Sequence, residues 1–340
     1  MFIFKPATQV IAVGPRPDRA IGYIIALDDR RKKIEKRSAD ELRIISYLLS
    51  GTDQLIRSDL FEELLEEGFI EEIDATLLSA LQKSALSREA SYLNTYFPLD
   101  IALDACNTLE SKRVAIVGLG GIGTHLLENL VRKGLRNFTL VDPDIVDQSN
   151  LNRQISYKPQ DVGSPKISVA SYHANSISRK PLKINSYGTI DDFLAALDNL
   201  RLDTVFVSAD NAPLSIRDAI IRMLYPRRIG YVFIGYVGNC VFLDPLVFNF
   251  RNGCGFCEGF IMEASKHFHR IWETKCGAIP PSSYANNAIG AAIAVDQWAR
   301  SQISGVSTDF TMKFSIEKLS AVSEPLQSNP FCPVCGRHDG

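Results

Sequence analysis

The sequence predicts an α/β protein with a doubly wound, mostly parallel sheet, a small module of strands and helices ahead of it, and a cysteine-bound metal site. Three observations carry that expectation. A short apolar run, Val114 to Val117, leads straight into Gly118-Leu119-Gly120-Gly121-Ile122-Gly123. From Arg113 to Arg251, runs that read as buried strands alternate with helical segments, the pattern of a parallel sheet covered on both faces. Two Cys-x-x-Cys pairs, Cys254/Cys257 and Cys332/Cys335, stand far apart in a chain of 340 residues.

The bulk properties narrow the function classes. A hydrophobic fraction of 46% supports a real core, and the length suits two domains, expected at 1–85 and 86–340. A net charge of -2 gives no electrostatic reason to expect nucleic acid or an anionic membrane as partner. No apolar run approaches the ~20 residues that span a bilayer. The opening Met1-Phe2-Ile3-Phe4-Lys5-Pro6 lacks a signal-peptide pattern. Seven cysteines, an odd number, argue against a secreted disulfide framework. The expectation is a soluble cytoplasmic protein.

In chain order, Phe2 to Lys5, Gln9 to Val13 and Ile21 to Leu27 read as strands, with Asp28-Asp29-Arg30 turning the chain. Ser38 with Glu41 three residues later is a capping-box signature. Leu42, Ile45, Leu48 and Leu49 give that helix one apolar face, and Gly51 ends it. Ser58 to Gly68 reads as a second amphipathic helix. Strands followed by short helices suggest a winged-helix-like module. It serves either packing and dimerisation or the capture of an extended peptide at an exposed strand edge. Ser87 to Leu109 reads as a connector.

The glycines then let the backbone turn tightly and approach a ligand without Cβ clashes. The helix that starts near Ile122 aims free N–H groups and its positive dipole end at the same turn, where an anion can sit. Gly134 is a helix stop, and Phe138 to Val141 reads as a strand ending in Asp142. A carboxylate about 20 residues past the glycines suits a ribose hydroxyl. The usual owner of such a loop is a dinucleotide-binding oxidoreductase. However, Arg153 and Lys166, carried by Ser149-Asn150-Leu151-Asn152-Arg153-Gln154 and Gly163-Ser164-Pro165-Lys166, suit a triphosphate better. A further buried strand, Thr204 to Ser208, runs into Asp210, which could hold magnesium, a cation that favours oxygen ligands.

Pro165 to Ile177 and Pro213 to Leu224 read as helices, and Tyr231 to Gly235 as a strand. Asn239 to Phe248 reads as one or two antiparallel strands. Lys266, His267, His269, Arg270 and Lys275 mark an exposed polar segment. Asn286 to Arg300 is a buried helix, and Phe310 to Ile316 a strand.

Cys254, Cys257, Cys332 and Cys335 together complete a tetrahedral four-sulfur zinc site, closed to substrate and hence structural. A redox dithiol is the lesser reading. Cys106 and Cys240 read as core cysteines. Cys276, beside Lys275, has the neighbour that activates a thiolate, but a structural role outweighs it. His125 reads as a surface or packing residue, His173 is likewise on a helix, and neither is assigned chemistry.

From Arg113 to Gly336 the chain resembles the ThiF/MoeB family, relatives of ubiquitin-activating enzymes, on the glycine turn, Asp142, Ser149 to Gln154, Gly163 to Lys166, Ser208-Ala209-Asp210 and the two cysteine pairs. With Gly235-Tyr236-Val237, Ala285-Asn286-Asn287 and the N-terminal module, it is similar to the branch that matures ribosomal peptides of the microcin C and pantocin types. The resemblance implies a Rossmann-like fold and a homodimer that binds ATP and magnesium. It also implies a peptide clamp in the N-terminal module and a precursor peptide as substrate. Gly118, Gly120, Gly121 and Gly123 would cradle the nucleotide, with Gln154 beside them. Asp142 would bind the ribose, Arg153 and Lys166 the phosphates with support from Asn150, and Asp210 the magnesium. The alternative substrate is a sulfur-carrier protein with a C-terminal glycine. The family's arginine pair ahead of the glycine turn falls on Arg88 and Ser91, so the second arginine is absent here.

Overall fold

The computed structural model describes residues 2–6, 8–13, 22–35, 39–50, 58–208, 214–256, 282–303, 309–330 and 332–336. They divide into two compact units, Met1–Thr108 and Leu109–Gly340.

The first unit begins with β1 (Phe2–Phe4), β2 (Gln9–Val13), β3 (Gly22–Leu27) and β4 (Arg30–Glu35), followed by α1 (Ala39–Ser50) and α2 (Asp59–Glu66). It continues through β5 (Ile70–Glu72), α3 (Ala75–Lys83), α4 (Ser87–Leu93) and α5 (Leu99–Ser111). β2, β3 and β4 form an antiparallel meander, and β1 pairs with β5. Ile25, Leu27 and Ile34 of the meander pack with Ile45 and Leu48 of α1 and with Leu60 and Leu64 of α2. The Ser58 hydroxyl accepts the Phe61 amide at 3.2 Å and caps α2.

Two expectations are corrected here. The chain beyond Asp28-Asp29 is not only a turn: Arg30–Glu35 is a strand, with Ile34 as its buried apolar residue. Its charges mark an edge strand, and Lys32 reaches Glu63 of α2 and Glu67 just past its end at 3.1 and 2.6 Å. The expected connector is helical, because Leu99, Ala102, Cys106 and Leu109 recur at helical spacing and are all buried. The Ser38 cap and Gly51 lie outside the described residues.

The second unit contains β6 (Arg113–Val117), α6 (Gly121–Arg132), β7 (Asn137–Val141), α7 (Lys166–Ile177), β8 (Lys183–Tyr187), α8 (Ile190–Ala196), β9 (Thr204–Val207) and α9 (Leu214–Leu224). It ends with β10 (Gly230–Val237), β11 (Cys240–Val247), α10 (Tyr284–Ser301), β12 (Phe310–Ser315) and β13 (Ser320–Pro325). One eight-stranded sheet runs β13-β12-β11-β10-β9-β6-β7-β8. It is parallel from β10 to β8 and antiparallel from β10 to β13. Alternate residues of β6 enter opposite cores. Val114 and Ile116 face α6 and α10, and Ala115 and Val117 face α8 and α9. That two-sided burial is why β6 reads as an unbroken apolar run.

From the central β6 the chain moves outward to β7 and β8, then returns to β9 on the other side. The switch point therefore lies at the carboxyl ends of β6 and β9, where sheets of this kind bind ligands. Gly134, at φ 97°, ends α6 as expected: its amide and that of Leu135 return to the Val131 and Leu130 carbonyls. β8, α8 and β13 were not expected. Both strands are sheet edges, and β13 is exposed along its whole length, so neither carries an apolar alternation. Cys106 is buried as expected. Cys240 is not a core residue, because it opens β11 beside the hairpin turn and stays partly exposed. No helix among the described residues is long and apolar enough to cross a membrane.

Candidate nucleotide site

The site is built where β6, β7 and β9 end together. The Gly118 amide donates to the Val141 carbonyl and the Ser208 amide to the Val117 carbonyl, both at 2.8 Å. Gly118, at φ +91°, swings the chain out of β6. A Cβ on Gly123 would overlap the Gly118 carbonyl oxygen, so the first turn of α6 can press onto the loop only because no side chain is there. Ser208 donates its hydroxyl to the same carbonyl at 2.9 Å. Gly120 stands at the N-cap of α6 without a side-chain partner, which leaves the helix's first N–H groups aimed into the turn. Gly121 abuts Asn287 of α10.

Asp142 follows β7 directly and is 6% exposed. One carboxylate oxygen accepts the Leu119 amide across the turn, and the other accepts the Asp144 amide at 2.8 Å. Burial pushes its pKa up, against the opposing pull of Lys166 and of the two amides. Tyr157 donates its hydroxyl to the Leu119 carbonyl at 2.8 Å, so the turn is held from both sides. Burial, reinforced by the charges of Asp142 and Asp144, keeps that phenol protonated.

Lys166 arrives by a short backbone pairing. The Val146 amide donates to the Ser164 carbonyl and the Gly163 amide to the Val146 carbonyl, Ile145 bridges to Pro165, and the Lys166 amide donates to the Asp144 carbonyl. Its ammonium then reaches the Asp144 carboxylate at 2.8 Å while its side chain is 7% exposed. Asn150 accepts the Asp147 amide in a reciprocal cap, and its own carbonyl takes the Arg153 and Gln154 amides. The Arg153 guanidinium donates to the Ser149 carbonyl at 2.7 Å and to Asn152 at 2.8 Å. Gln154 lies buried beside Gly120, with its carbonyl oxygen unpartnered.

The glycines, Asp142 and Lys166 are thus brought together, with Asn150, Arg153 and Gln154 on the adjoining turn. Asp210, Cys257, Cys276, His267 and His269 lie outside the described residues. Arg88 and Ser91 lie one turn apart on α4, with Arg88 exposed. Sequence reasoning gave no role to Asp144, Tyr157 or His125. Asp144 could have been found from its place two residues beyond Asp142. His125 is 8% exposed, which leaves the packing reading of the two. His173 meets Glu128 at 3.1 Å.

On the sheet's other face, the thiols of Cys254, Cys332 and Cys335 lie within 4.8 Å of one another, with Cys254 and Cys332 at 3.6 Å. Three soft donors at that spacing fit a zinc ion that takes a fourth thiolate. The cluster is braced from two directions. Asp309 collects the amides of Phe248, Asn249 and Arg251 at 2.7–2.8 Å and so fixes the loop that leads to Cys254. The Val334 amide points at the Cys332 sulfur, and a Cβ on Gly336 would overlap the Cys332 backbone.

The sequence pattern of the ThiF family matches residues 94–268, about half of the chain. The chain belongs to the ThiF family. A sulfur carrier protein adenylyltransferase of Thermus thermophilus is 29% identical over 248 residues, covering 67% of this chain and 83% of that relative. The crystal structure of E. coli MccB with ATP superposes at a TM-score of 0.78 and 19% identity, covering 98% of this chain and 99% of that one. MccB has also been crystallised with AMPCPP and MccA. PaaA superposes at a TM-score of 0.62 and 17% identity, covering 95% and 99%. This ThiF-family chain therefore shares its fold with MccB and PaaA through both of its units. The expected mostly parallel α/β sheet, read from the glycine turn outward, is observed with two edge strands, β8 and β13, added to it.

Proposed function

We propose that the protein is an ATP-dependent acyl-activating enzyme that modifies a ribosomally synthesised precursor peptide. It would work as a homodimer with magnesium in the site and a structural zinc on Cys254, Cys257, Cys332 and Cys335. The observation that supports a peptide substrate is the whole-length correspondence with MccB, which includes the first unit. The family pattern itself begins only at residue 94. In this reading residues 1–85 capture the peptide by adding a strand to an exposed edge.

The chemistry follows from the side chains. The turn at Gly118, Gly120, Gly121 and Gly123 and the N-terminus of α6 take up phosphate oxygens, with Asn150 and Gln154 beside them. Asp142 holds the ribose with the lone pairs that the two amides leave free. A carboxylate or amide oxygen of the peptide attacks phosphorus. Attack by a carboxylate at the α-phosphorus expels pyrophosphate and leaves an acyl-adenylate, whereas its attack at the γ-phosphorus expels ADP and leaves an acyl phosphate; an amide oxygen, with loss of its N–H proton, gives the corresponding imidate ester. Arg153 and Lys166 neutralise the charge that builds on the phosphoryl oxygens. Asp210 would hold magnesium, which would supply further neutralisation there. An internal nucleophile of the peptide then displaces the phosphate group, which closes a ring in a pantocin-type reaction.

Incubating the protein with ATP, magnesium and the short peptide encoded beside its gene tests this. Release of AMP or ADP with a change in peptide mass is the expected result, and the nucleotide released names the phosphorus attacked. Absence of turnover with every neighbouring peptide overturns the reading. One observation favours a second reading: the sulfur carrier protein adenylyltransferase is matched over 83% of its length. Adenylation of a small protein ending in Gly-Gly, with no change in any peptide, would establish it.

A further inference from the structure

The ion pair between Lys166 and Asp144 is uneven. The lysine side chain is 7% exposed and the aspartate side chain 63%, although Nζ and Oδ2 stand 2.8 Å apart. An ammonium withdrawn from water needs a counter-charge, whereas a carboxylate left in water does not. The pair therefore serves the lysine. Asp144 is also tied by its backbone at both ends. Its amide donates to the Asp142 carboxylate at 2.8 Å, and its carbonyl accepts the Lys166 amide at 3.0 Å. Asp142 in turn closes the glycine turn at the Leu119 amide. Asp144 thus stands between the acid given to the ribose and the cation given to the phosphates. It fixes both relative to the turn. Only the contact to the ammonium is made by its side chain, so a substitution there removes that contact and leaves the backbone ones in place.

An ammonium carries three N–H donors, and the Asp144 carboxylate takes one. Two remain for phosphate oxygens, so the pair need not break when a nucleotide arrives. A lysine aimed beforehand also loses less side-chain freedom on binding than a loose one. We infer that Asp144 is a positioning residue whose carboxylate holds the Lys166 ammonium in place for the phosphates of the nucleotide. This rests on the nucleotide reading above and adds a residue to it. Two other roles for the same contact give different results. A carboxylate that merely competed with phosphate for the lysine would weaken ATP binding, and its removal would strengthen it. An ion pair that served the fold alone would leave the affinity of the folded protein unchanged. The sign of the effect on ATP binding therefore separates the three.

The test is ATP binding by calorimetry to wild type, D144A, D144N, K166A and the double variant D144A/K166A, with thermal melts to confirm folding. D144A should bind ATP on the order of tenfold more weakly, the cost of ordering one long side chain at the moment of binding. D144N keeps an oxygen that accepts from the ammonium but gives up the charge, and it should lose less. Adenosine, which lacks phosphates, should bind wild type and D144A alike. In the double variant, D144A should add no loss to that caused by K166A, because the carboxylate acts through the ammonium. Losses that add, or a loss for adenosine equal to that for ATP, overturn the inference. Should K166A not fold, ATP against adenosine on D144A decides; should D144A not fold, the same comparison on D144N does. Wild-type protein that binds no ATP removes the nucleotide reading and this inference with it. Wild type that binds ATP, with a folded D144A that binds it equally well or more tightly, removes the inference alone.

Discussion

The Asp142 carboxylate accepts the Leu119 amide, so the acid at the end of β7 is the group that closes the glycine turn after β6. One side chain therefore shapes the loop and offers its remaining lone pairs to a ribose. Asp142→Ala leaves the Leu119 N–H buried without its acceptor, which should cost about 1–3 kcal/mol of stability. The same variant should lose ATP binding. Chemical denaturation and calorimetry on one preparation check both. A folded variant with unaltered ATP affinity would remove the ribose role.

The glycines divide by what stands opposite them. A Cβ at Gly123 meets backbone, the Gly118 carbonyl, which cannot swing aside. Gly123→Ala should therefore displace the loop and abolish nucleotide binding. A Cβ at Gly121 meets the Asn287 side chain, so Gly121→Ala should be rescued in part by Asn287→Ala, a repair with no counterpart at Gly123. Gly163, at φ +89° with nothing within 4 Å, should tolerate alanine at the cost of backbone strain alone, about 1–2 kcal/mol. Melting temperatures and ATP affinities of the four variants test this ordering.

The same contrast explains what could be read from the chain beforehand. β6, its glycine turn, α6 and β7 are legible because two-sided burial and the absence of side chains leave marks in local sequence. Arg30–Glu35, Lys183–Tyr187 and Ser320–Pro325 left none. Edge strands are held by backbone pairing and bury little, so nothing forces apolar alternation on them. At the site, the two acids, two cations and four cysteines have types that announce chemistry. Tyr157 acts through a partner 38 residues away in the chain, Leu119. Such roles exist only once the fold has brought the segments together.

The cysteine cluster predicts a metal with a structural role. Purified protein should carry about one zinc per chain. Cys335→Ser or Cys254→Ser should release it and lower the melting temperature by several degrees, as should a strong chelator. Elemental analysis paired with calorimetric melts measures both. Full zinc content in Cys335→Ser would mean that this thiol is not a ligand.

His125 also sets a pH dependence whose sign can be worked out. Burial pushes its pKa below the usual imidazole range, against the opposing pull of Glu128 and the Arg153 backbone. The unfolded chain then takes up a proton at this residue before the folded chain does. Its contribution to stability is fully present above the unfolded value of about 6.5, and it is lost as pH falls from there through the lowered folded value. Melting temperatures of wild type should therefore drop on acidification from pH 7 toward pH 5. Those of H125N, which has no proton to gain, should drop less over the same interval. Parallel curves for the two proteins would show that the buried ring titrates as it does in the unfolded chain, and would contradict the burial argument for its neutral form.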